Sequence, residues 1–407
     1  MMPDAEIHDV GGAAPAEERV SPMDTTLFDG GPLLSLQRWL GLSKDSDRHI
    51  GRTAGLVVLV GWLPLVLLAL VQSVFLHTDE ITSLLWQVGA HARYLVAAPL
   101  LVVAELECGA RLSVIVGNFV KTGIVPPHER KRLDAAVLTT RRLVNSTAGE
   151  IAVVALAYLV VAATIWSTPI EQVPAWHRSD TIVPFYSLAG WWHMLVSLPL
   201  LLVLLLSWLT RFVLWVRLLW LISRLKLRLV ASHPDHAAGL GFVGHSVRAF
   251  SGVALAIAAI AAGYSAHMIL VRGSLPTSQI VFDACLLVTV AAMFAAPLLV
   301  FTPIMMTAWR HAASEYGALA IQMGVTFEDK WLGQVRRLDN TALNQPDFSS
   351  TTDLYSIAAN IYQMRLIPID ITSLEILSIV MLLPFVPVVL LIVPMSEILT
   401  DLKALFF

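Results

Sequence analysis

Residues 94–111 read Tyr94-Leu95-Val96-Ala97-Ala98-Pro99-Leu100-Leu101-Val102-Val103-Ala104-Glu105-Leu106-Glu107-Cys108-Gly109-Ala110-Arg111. An apolar run from Tyr94 to Ala104 is followed at once by two acids and a base. Whether this stretch crosses a bilayer decides the fold, because each crossing sets the side on which every later loop lies. Six other stretches need no such argument. Residues 53–78, 151–170, 181–210, 249–271, 284–309 and 376–396 carry no Lys, Arg, Asp or Glu. A hydrocarbon core about 30 Å thick takes roughly 20 apolar residues as helix. Helix is required there, since no water is present to satisfy backbone N–H and C=O groups.

The charges outside these stretches decide the doubtful one. If residues 94–120 cross, there are seven spans, and 23 of the 27 Lys and Arg fall on one side. They lie in the N-terminal tail (Arg19 to Arg52) and in segments running from Arg111 to Arg142, Arg211 to Arg248 and Arg310 to Arg365. Only Arg93, Arg178, Arg272 and Lys403 lie on the other side. Drop the crossing, and the basic residues from Arg111 to Arg142 and from Arg211 to Arg248 change sides, among others. The excess of cytoplasmic Lys and Arg seen in membrane proteins therefore predicts an all-α membrane protein with seven transmembrane helices, N-terminus cytoplasmic and C-terminus outside. A helix over residues 94–120 would reach about 40 Å, enough to cross with tilt.

Composition agrees. The 407 residues are 57% hydrophobic and 14% charged, with mean hydropathy +0.72. Soluble domains carry about 25% charged residues. Residues 1–20 are acidic and lack an apolar core, which does not fit a signal peptide. Cys108 and Cys285 both sit in apolar stretches and imply no disulfide framework. Pro64, Pro199, Pro297, Pro303, Pro384 and Pro387 fall inside apolar stretches, where each removes an amide donor and can kink a helix. Tyr186, Trp191 and Trp192 suit an aromatic belt.

The domain reading follows. Residues 1–32 form an acidic Ala/Gly/Pro-rich disordered tail, and residues 33–52 an interfacial helix and linker. Residues 53–396 form the transmembrane domain, with cytoplasmic segments 121–149, 211–248 and 310–372, and residues 397–407 form a short tail. The fourth span runs on as one long helix past Arg211. The 310–372 segment reads as two helices separated by a loop near residues 344–350. No repeat of fixed period is visible.

Four residues within or beside the spans are candidate sites. Glu105, counted from Arg93, falls near the middle of its span, where an ionisable residue marks a cavity or a partner. Glu107 and Arg111 stand four apart, acid first, the favoured order for a helical ion pair. Asp283 opens the sixth span beside Cys285. With His267 and His193 it would line an outer vestibule, or these are ordinary interfacial polar residues.

The segment His233-Pro234-Asp235-His236-Ala237-Ala238-Gly239-Leu240-Gly241-Phe242-Val243-Gly244-His245 is the most distinctive local sequence. Its Gly239, Gly241 and Gly244 spell a dinucleotide fingerprint, but that motif needs a βαβ unit, and the flanks here are membrane helices. His-Pro-Asp occurs without the small helical hairpin domain that would make it a J-domain. Three readings stay open. Backbone amides, with His245 and Arg248, would bind an anion such as a lipid phosphate. His233, Asp235, His236 and His245 would hold a divalent metal, the one cofactor the sequence suggests. Or the segment is a tight turn whose glycines allow close helix packing.

The sequence has no nucleophile elbow, Walker A, HExxH or paired CxxC motif, which gives no grounds to read an enzyme. The dispersed basic residues are accounted for by topology and do not imply nucleic-acid binding. They predict contact with anionic lipids at the cytoplasmic face. Self-association is the other partner expectation.

The His-Pro-Asp-x-x-x-Gly-Leu-Gly-Phe segment, the later Met364-Arg365-Leu366-Ile367-Pro368-Ile369 and the terminal Leu383-Pro384-Phe385-Val386-Pro387 resemble a group of bacterial polytopic integral membrane proteins whose motifs carry no assigned chemistry. The likeness covers about the C-terminal half, implies a bacterial inner-membrane location and adds no mechanism. Three functions follow in order: a transporter or channel for a small solute or ion; a lipid-headgroup or metal-binding module using residues 233–248; a structural or regulatory partner in an envelope complex, docking through 310–372.

Overall fold

The computed structural model describes residues 46–76, 80–169, 173–179, 185–332 and 346–392. The acidic tail, the interfacial segment before residue 46 and the tail 397–407 lie outside these residues. The chain begins with α1 (Ser46–Gly61) and α2 (Leu63–Leu76), one span broken at Pro64, and the short α3 (Glu80–Leu85) follows. Next come α4 (Val88–His91), a π-turn (Ala92–Ala97) and α5 (Ala98–Lys121), which are continuous. The basic α6 (Arg130–Val144) leads to α7 (Thr147–Ser167), whose first turn is capped by Ser146.

After a short antiparallel pairing of β1 (Arg178–Ser179) with β2 (Phe185–Tyr186), α8 (Leu188–Trp192), a second π-turn (His193–Ser197) and α9 (Leu198–Ser223) form one long rod. The loop at 224–245 and α10 (Ser246–Ala249) lead into α11 (Ser251–Arg272). Then α12 (Thr277–Ala295), a 3-10 turn (Ala296–Phe301) and α13 (Thr302–Trp331) make the longest rod. The chain closes with α14 (Asp347–Tyr362), α15 (Ile371–Leu382), a 3-10 turn (Leu383–Phe385) and α16 (Val386–Ile392).

Among the described residues, six helical runs are long and apolar enough to cross a membrane: Gly51–Phe75, Thr147–Ser167, Leu188–Ser223, Gly241–Arg272, Thr277–Trp331 and Ile371–Ile392. They mark an integral, multi-pass membrane protein. The helix α5 is not among them, since Glu105, Glu107 and Arg111 interrupt its apolar run. The expected run-on of the fourth span past Arg211 is present, ending at Ser223. The second helix of the 310–372 segment begins at Asp347, four residues earlier than its apolar spacing suggested.

The central helix is α11. In the run that contains it, 61% of the apolar window is buried, against 17% for α7 and for the α15–α16 run. Its composition explains the position. Ala254, Ala256, Ala258, Ala262 and Gly263 leave little side-chain bulk, so neighbouring backbones approach closely. Between helices in lipid this matters more than apolarity, because lipid tails are as apolar as leucine and only close van der Waals contact distinguishes a partner.

The three rods that run opposite to α11 share one short device, although no repeat of fixed period is visible in the sequence. Ala97-Ala98-Pro99-Leu100-Leu101-Val102 recurs unchanged as Ala295-Ala296-Pro297-Leu298-Leu299-Val300, with Ser197-Leu198-Pro199-Leu200-Leu201-Leu202 between them. The prolines stand 100 and 98 residues apart. Each follows or opens a break in α-geometry: the two π-turns and the 3-10 turn. Proline lacks an N–H and its ring clashes with the carbonyl four residues back, so the preceding turn must widen or tighten. The helices α4 and α8 also begin 100 residues apart, at Val88 and Leu188. The repeat was hidden because its shared core is six residues in a Leu- and Val-rich background common to most spans.

Candidate functional site

Asp283 lies in the second turn of α12, buried at 6% exposure. Gln279, one helical turn earlier, donates from Nε2 to Oδ1 at 2.9 Å. Ser265 of α11, fully buried, donates from Oγ to Oδ2. Both partners are neutral, and among the described residues no Lys or Arg forms a salt bridge with this carboxylate. Cys285, two residues on, is exposed. His267 instead sets Nδ1 3.2 Å from the carbonyl of Trp86, and His193 sets Nε2 2.7 Å from Tyr94 Oη. The structure thus gives Asp283, His267 and His193 separate hydrogen-bond partners.

Glu105 has a partner that its surroundings in sequence did not reveal. It accepts from the guanidinium of Arg211, 106 residues later on α9, and both are largely buried, at 19% and 8% side-chain exposure. Trp208 lies under the guanidinium, 5.2 Å from ring centre to Cζ, and its Nε1 donates to the carbonyl of Leu101 at 2.9 Å. The free space beside the pair, lined by Leu101, Val203, Leu204 and Ser207, amounts to about 20 Å³, room for one water.

The depth of Glu105 also changes. A β-carbon on Gly252 would meet Ala104 at 2.8 Å, and Gly252 is the second residue of α11. Glu105 is therefore level with the first turn of α11 rather than with its middle. Arg211 agrees, standing about 35 Å along its rod from Leu188 at 1.5 Å per residue. Glu107 and Arg111 pair at 3.1 Å, as their spacing predicts, and remain exposed. Arg111 also donates to the carbonyl of Arg248 at 3.3 Å.

The 233–245 segment does cradle an anion, and the anion is its own Asp235. Oδ1 accepts from the amides of Ala237 at 2.9 Å and Gly239 at 3.1 Å, and Oδ2 from Gly241 at 2.9 Å. His233 Nδ1 lies 2.9 Å from Oδ1. Burial would raise this carboxyl, but the three amides and His233 outweigh it and leave it below the ordinary range. Gly239 has φ of 89°, the left-handed region in which a side chain is strained. The amides proposed for an external anion are thus occupied.

The histidines diverge. His236 gives its carbonyl to the amide of Arg365 at 2.7 Å, and His245 Nε2 stands 3.8 Å from Asp370. Among the described residues no group of three or more His, Cys, Asp or Glu is placed to hold a metal. A β-carbon on Gly244 would lie 2.6 Å from the amide of Asp370. Arg365 reaches the carbonyls of Asp235 and Ile369. The first two of the three sequence motifs that carry the bacterial resemblance are therefore one packed unit, and the 233–245 segment has the geometry of a tight turn.

Tyr94, Trp176, His177 and Ser197 form with His193 a buried cluster that sequence reasoning missed. Its members come from three distant stretches, and only the fold brings them together. No family model, curated protein or solved structure matches this chain.

Proposed function

We propose that this protein is an ion-coupled transporter or channel for a small solute, with Asp283 as the ion-binding group. The observation that carries the reading is the setting of Asp283, a buried carboxylate held by neutral Ser265 and Gln279. A carboxylate within a membrane span is costly unless it gains a countercharge, and such residues mark ion and substrate pathways. A proton or an alkali cation would supply that charge. The repeated Pro-Leu-Leu breaks support the same reading, since transporters are commonly built from repeats with discontinuous helices.

Seven crossings belong to this proposal, with α5 as the additional one, the N-terminus cytoplasmic and the C-terminus outside. Support comes from the charge asymmetry and from α5 running antiparallel to α11, with Ala92 against Gly263 and Ala104 against Gly252. Arg111 and Arg248 would then meet anionic headgroups of a bacterial inner membrane.

The test is flux in proteoliposomes under an imposed pH gradient and, separately, a sodium gradient. Asp283→Asn should abolish gradient-driven flux while the protein still purifies as a folded species. Equal flux in the variant and the wild type would remove Asp283 from the mechanism.

A second reading, as a docking partner, is favoured by the α13–α14 hairpin. It exposes Leu319, Ile321, Val325, Tyr355 and Tyr362, and an open groove of about 370 Å³ runs past Glu315, Tyr316 and Gln322. Exposed apolar side chains of this kind mark interaction sites when they are contiguous.

A further inference from the structure

Asp283 stands about 9 Å along the axis of α12 from its first residue, Thr277, at 1.5 Å per residue. Its neighbours Val281, Phe282 and Ala284 are exposed, whereas Asp283 is buried against Ser265 of α11. Gln279, half-buried, donates from Nε2 to Oδ1 at 2.9 Å and stands 3.5 Å from Ser265 Oγ. The three polar groups thus close a ring of contacts between two helices.

A metal cation and a proton make different demands on such a place. Hard cations take about six or more oxygen ligands. The side chains here offer two from Asp283, one from Ser265 and, with its amide turned over, one from Gln279. Main-chain carbonyls would have to supply the rest, as they do in transporters where a helix is unwound. Neither helix is unwound here. The helix α11 is continuous from Ser251 to Arg272 and α12 from Thr277 to Ala295, so carbonyls around the three side chains are engaged within their own helices. The breaks in α-geometry lie elsewhere, at Ala92–Ala97, His193–Ser197 and Ala296–Phe301. Among the described residues no group of three His, Cys, Asp or Glu is assembled for a divalent ion either.

A proton needs only one acceptor for the acid O–H. We infer, on the reading of Asp283 as the ion-binding group, that the ion is a proton, held on Oδ2 against Ser265 Oγ. Uptake reverses the Ser265 contact. The neutral acid donates to Oγ, and the serine hydrogen turns to the carbonyl of Ala261, four residues back, as serine hydroxyls in helices do. Gln279 keeps its bond to Oδ1, which is then a carbonyl oxygen. One proton is gained, no other covalent bond changes, and no net charge remains buried. On release the serine hydrogen swings back to the carboxylate.

The other titratable groups on the packed elements are turned elsewhere. On α11, Tyr264 and Arg272 are exposed and His267 meets the carbonyl of Trp86. Cys285 of α12 is exposed, as is Glu375 of α15, which also packs on α12. The turn Ala296–Phe301 has no titratable side chain.

The test is infrared difference spectroscopy of the full-length protein in lipid at pH 6, where an ordinary aspartate is ionised, with and without sodium chloride, joined to binding of radioactive sodium. The wild type should show a carboxylic-acid carbonyl band that Asp283→Asn lacks completely. Sodium should leave that band in place, and the two proteins should bind sodium equally. Ser265→Ala removes the acceptor of the acid hydrogen and should shift the band, which assigns it even if Asp283→Asn does not fold. A band displaced by sodium, or sodium held by the wild type and lost in Asp283→Asn, would overturn the proton and leave the ion-coupled reading standing with sodium as the ion. A spectrum with no band that responds to either substitution would overturn it as well. Failure of the transport reading looks different. The band would be present and indifferent to sodium, while flux in Asp283→Asn equals that of the wild type; Asp283 would then bind a proton without coupling it to transport.

Discussion

Gly263 of α11 lies so close to Ala92 that a β-carbon built on it would stand 2.2 Å from the alanine's own. The contact sets the distance between the central helix and the first π-turn. A methyl group at Gly263 has no space unless one backbone withdraws, and overpacking of this kind costs about 1–3 kcal/mol. Gly263→Ala should lower stability by about that amount, and Gly263→Val by more. Denaturation in mixed micelles, followed by helical circular dichroism, would measure it. An unchanged midpoint would mean that the interface tolerates separation.

The Glu105–Arg211 pair should behave as a structural unit. Breaking one side of a buried pair leaves a charge without compensation and costs about 3–5 kcal/mol, whereas replacing both partners is often neutral. Arg211→Met should therefore destabilise strongly, and adding Glu105→Gln should recover much of the loss. The same denaturation assay on both single variants and the double variant checks it. If the double variant is as unstable as the sum of the singles, the pair is not coupled.

Asp235 makes the 233–245 turn acid-sensitive. Its carboxyl is held below the ordinary value of 3.8, the net effect of three amides and His233 acting against burial. A depressed carboxyl contributes stability that is full above the unfolded value and is lost as pH falls through the folded one. Amide protection of residues 237–241 should thus hold steady down to about pH 4 and fall below it. Asp235→Asn should show reduced protection at neutral pH with no further acid step. Protection in that variant equal to the wild type would assign the turn to its glycines alone.

The π-turns should depend on their prolines. Pro199→Ala restores an amide donor, which favours a regular α-turn. Removing the extra residue of a π-turn would rotate the preceding turn by about 100° and carry His193 away from Tyr94, 2.7 Å distant at present. Nitrogen-15 spectra of labelled histidine should then report a changed His193 environment. An identical spectrum would mean that packing, rather than the proline, holds the turn open.

Legibility varied with the range of the interaction. The Glu107–Arg111 pair was readable, because both groups lie one helical turn apart on a single helix. The role of Glu105 was not, because its partner lies on another helix and its depth depends on where that helix crosses α11. The turn at 233–245 was half legible. Its glycines indicated a tight bend, but nothing local said that Asp235 would fill the nest and leave no room for a ligand. The repeat was present in the text as a shared hexapeptide, yet its meaning rested on the breaks in helix geometry that accompany it.

By itself the sequence determined that this chain lies in a membrane and that its long apolar stretches are helices. These follow from local sums. Apolar length sets what crosses, and within a helix every backbone bond is met by a near neighbour. The tertiary structure alone decided that Arg211 answers Glu105, that Ser265 and Gln279 hold Asp283, and that the rings of His177 and His193 meet. Such pairings depend on the rotation and depth of each helix. Those are set by many small contacts at residues such as Gly252 and Gly263, and close packing of that kind leaves no periodic mark in the chain.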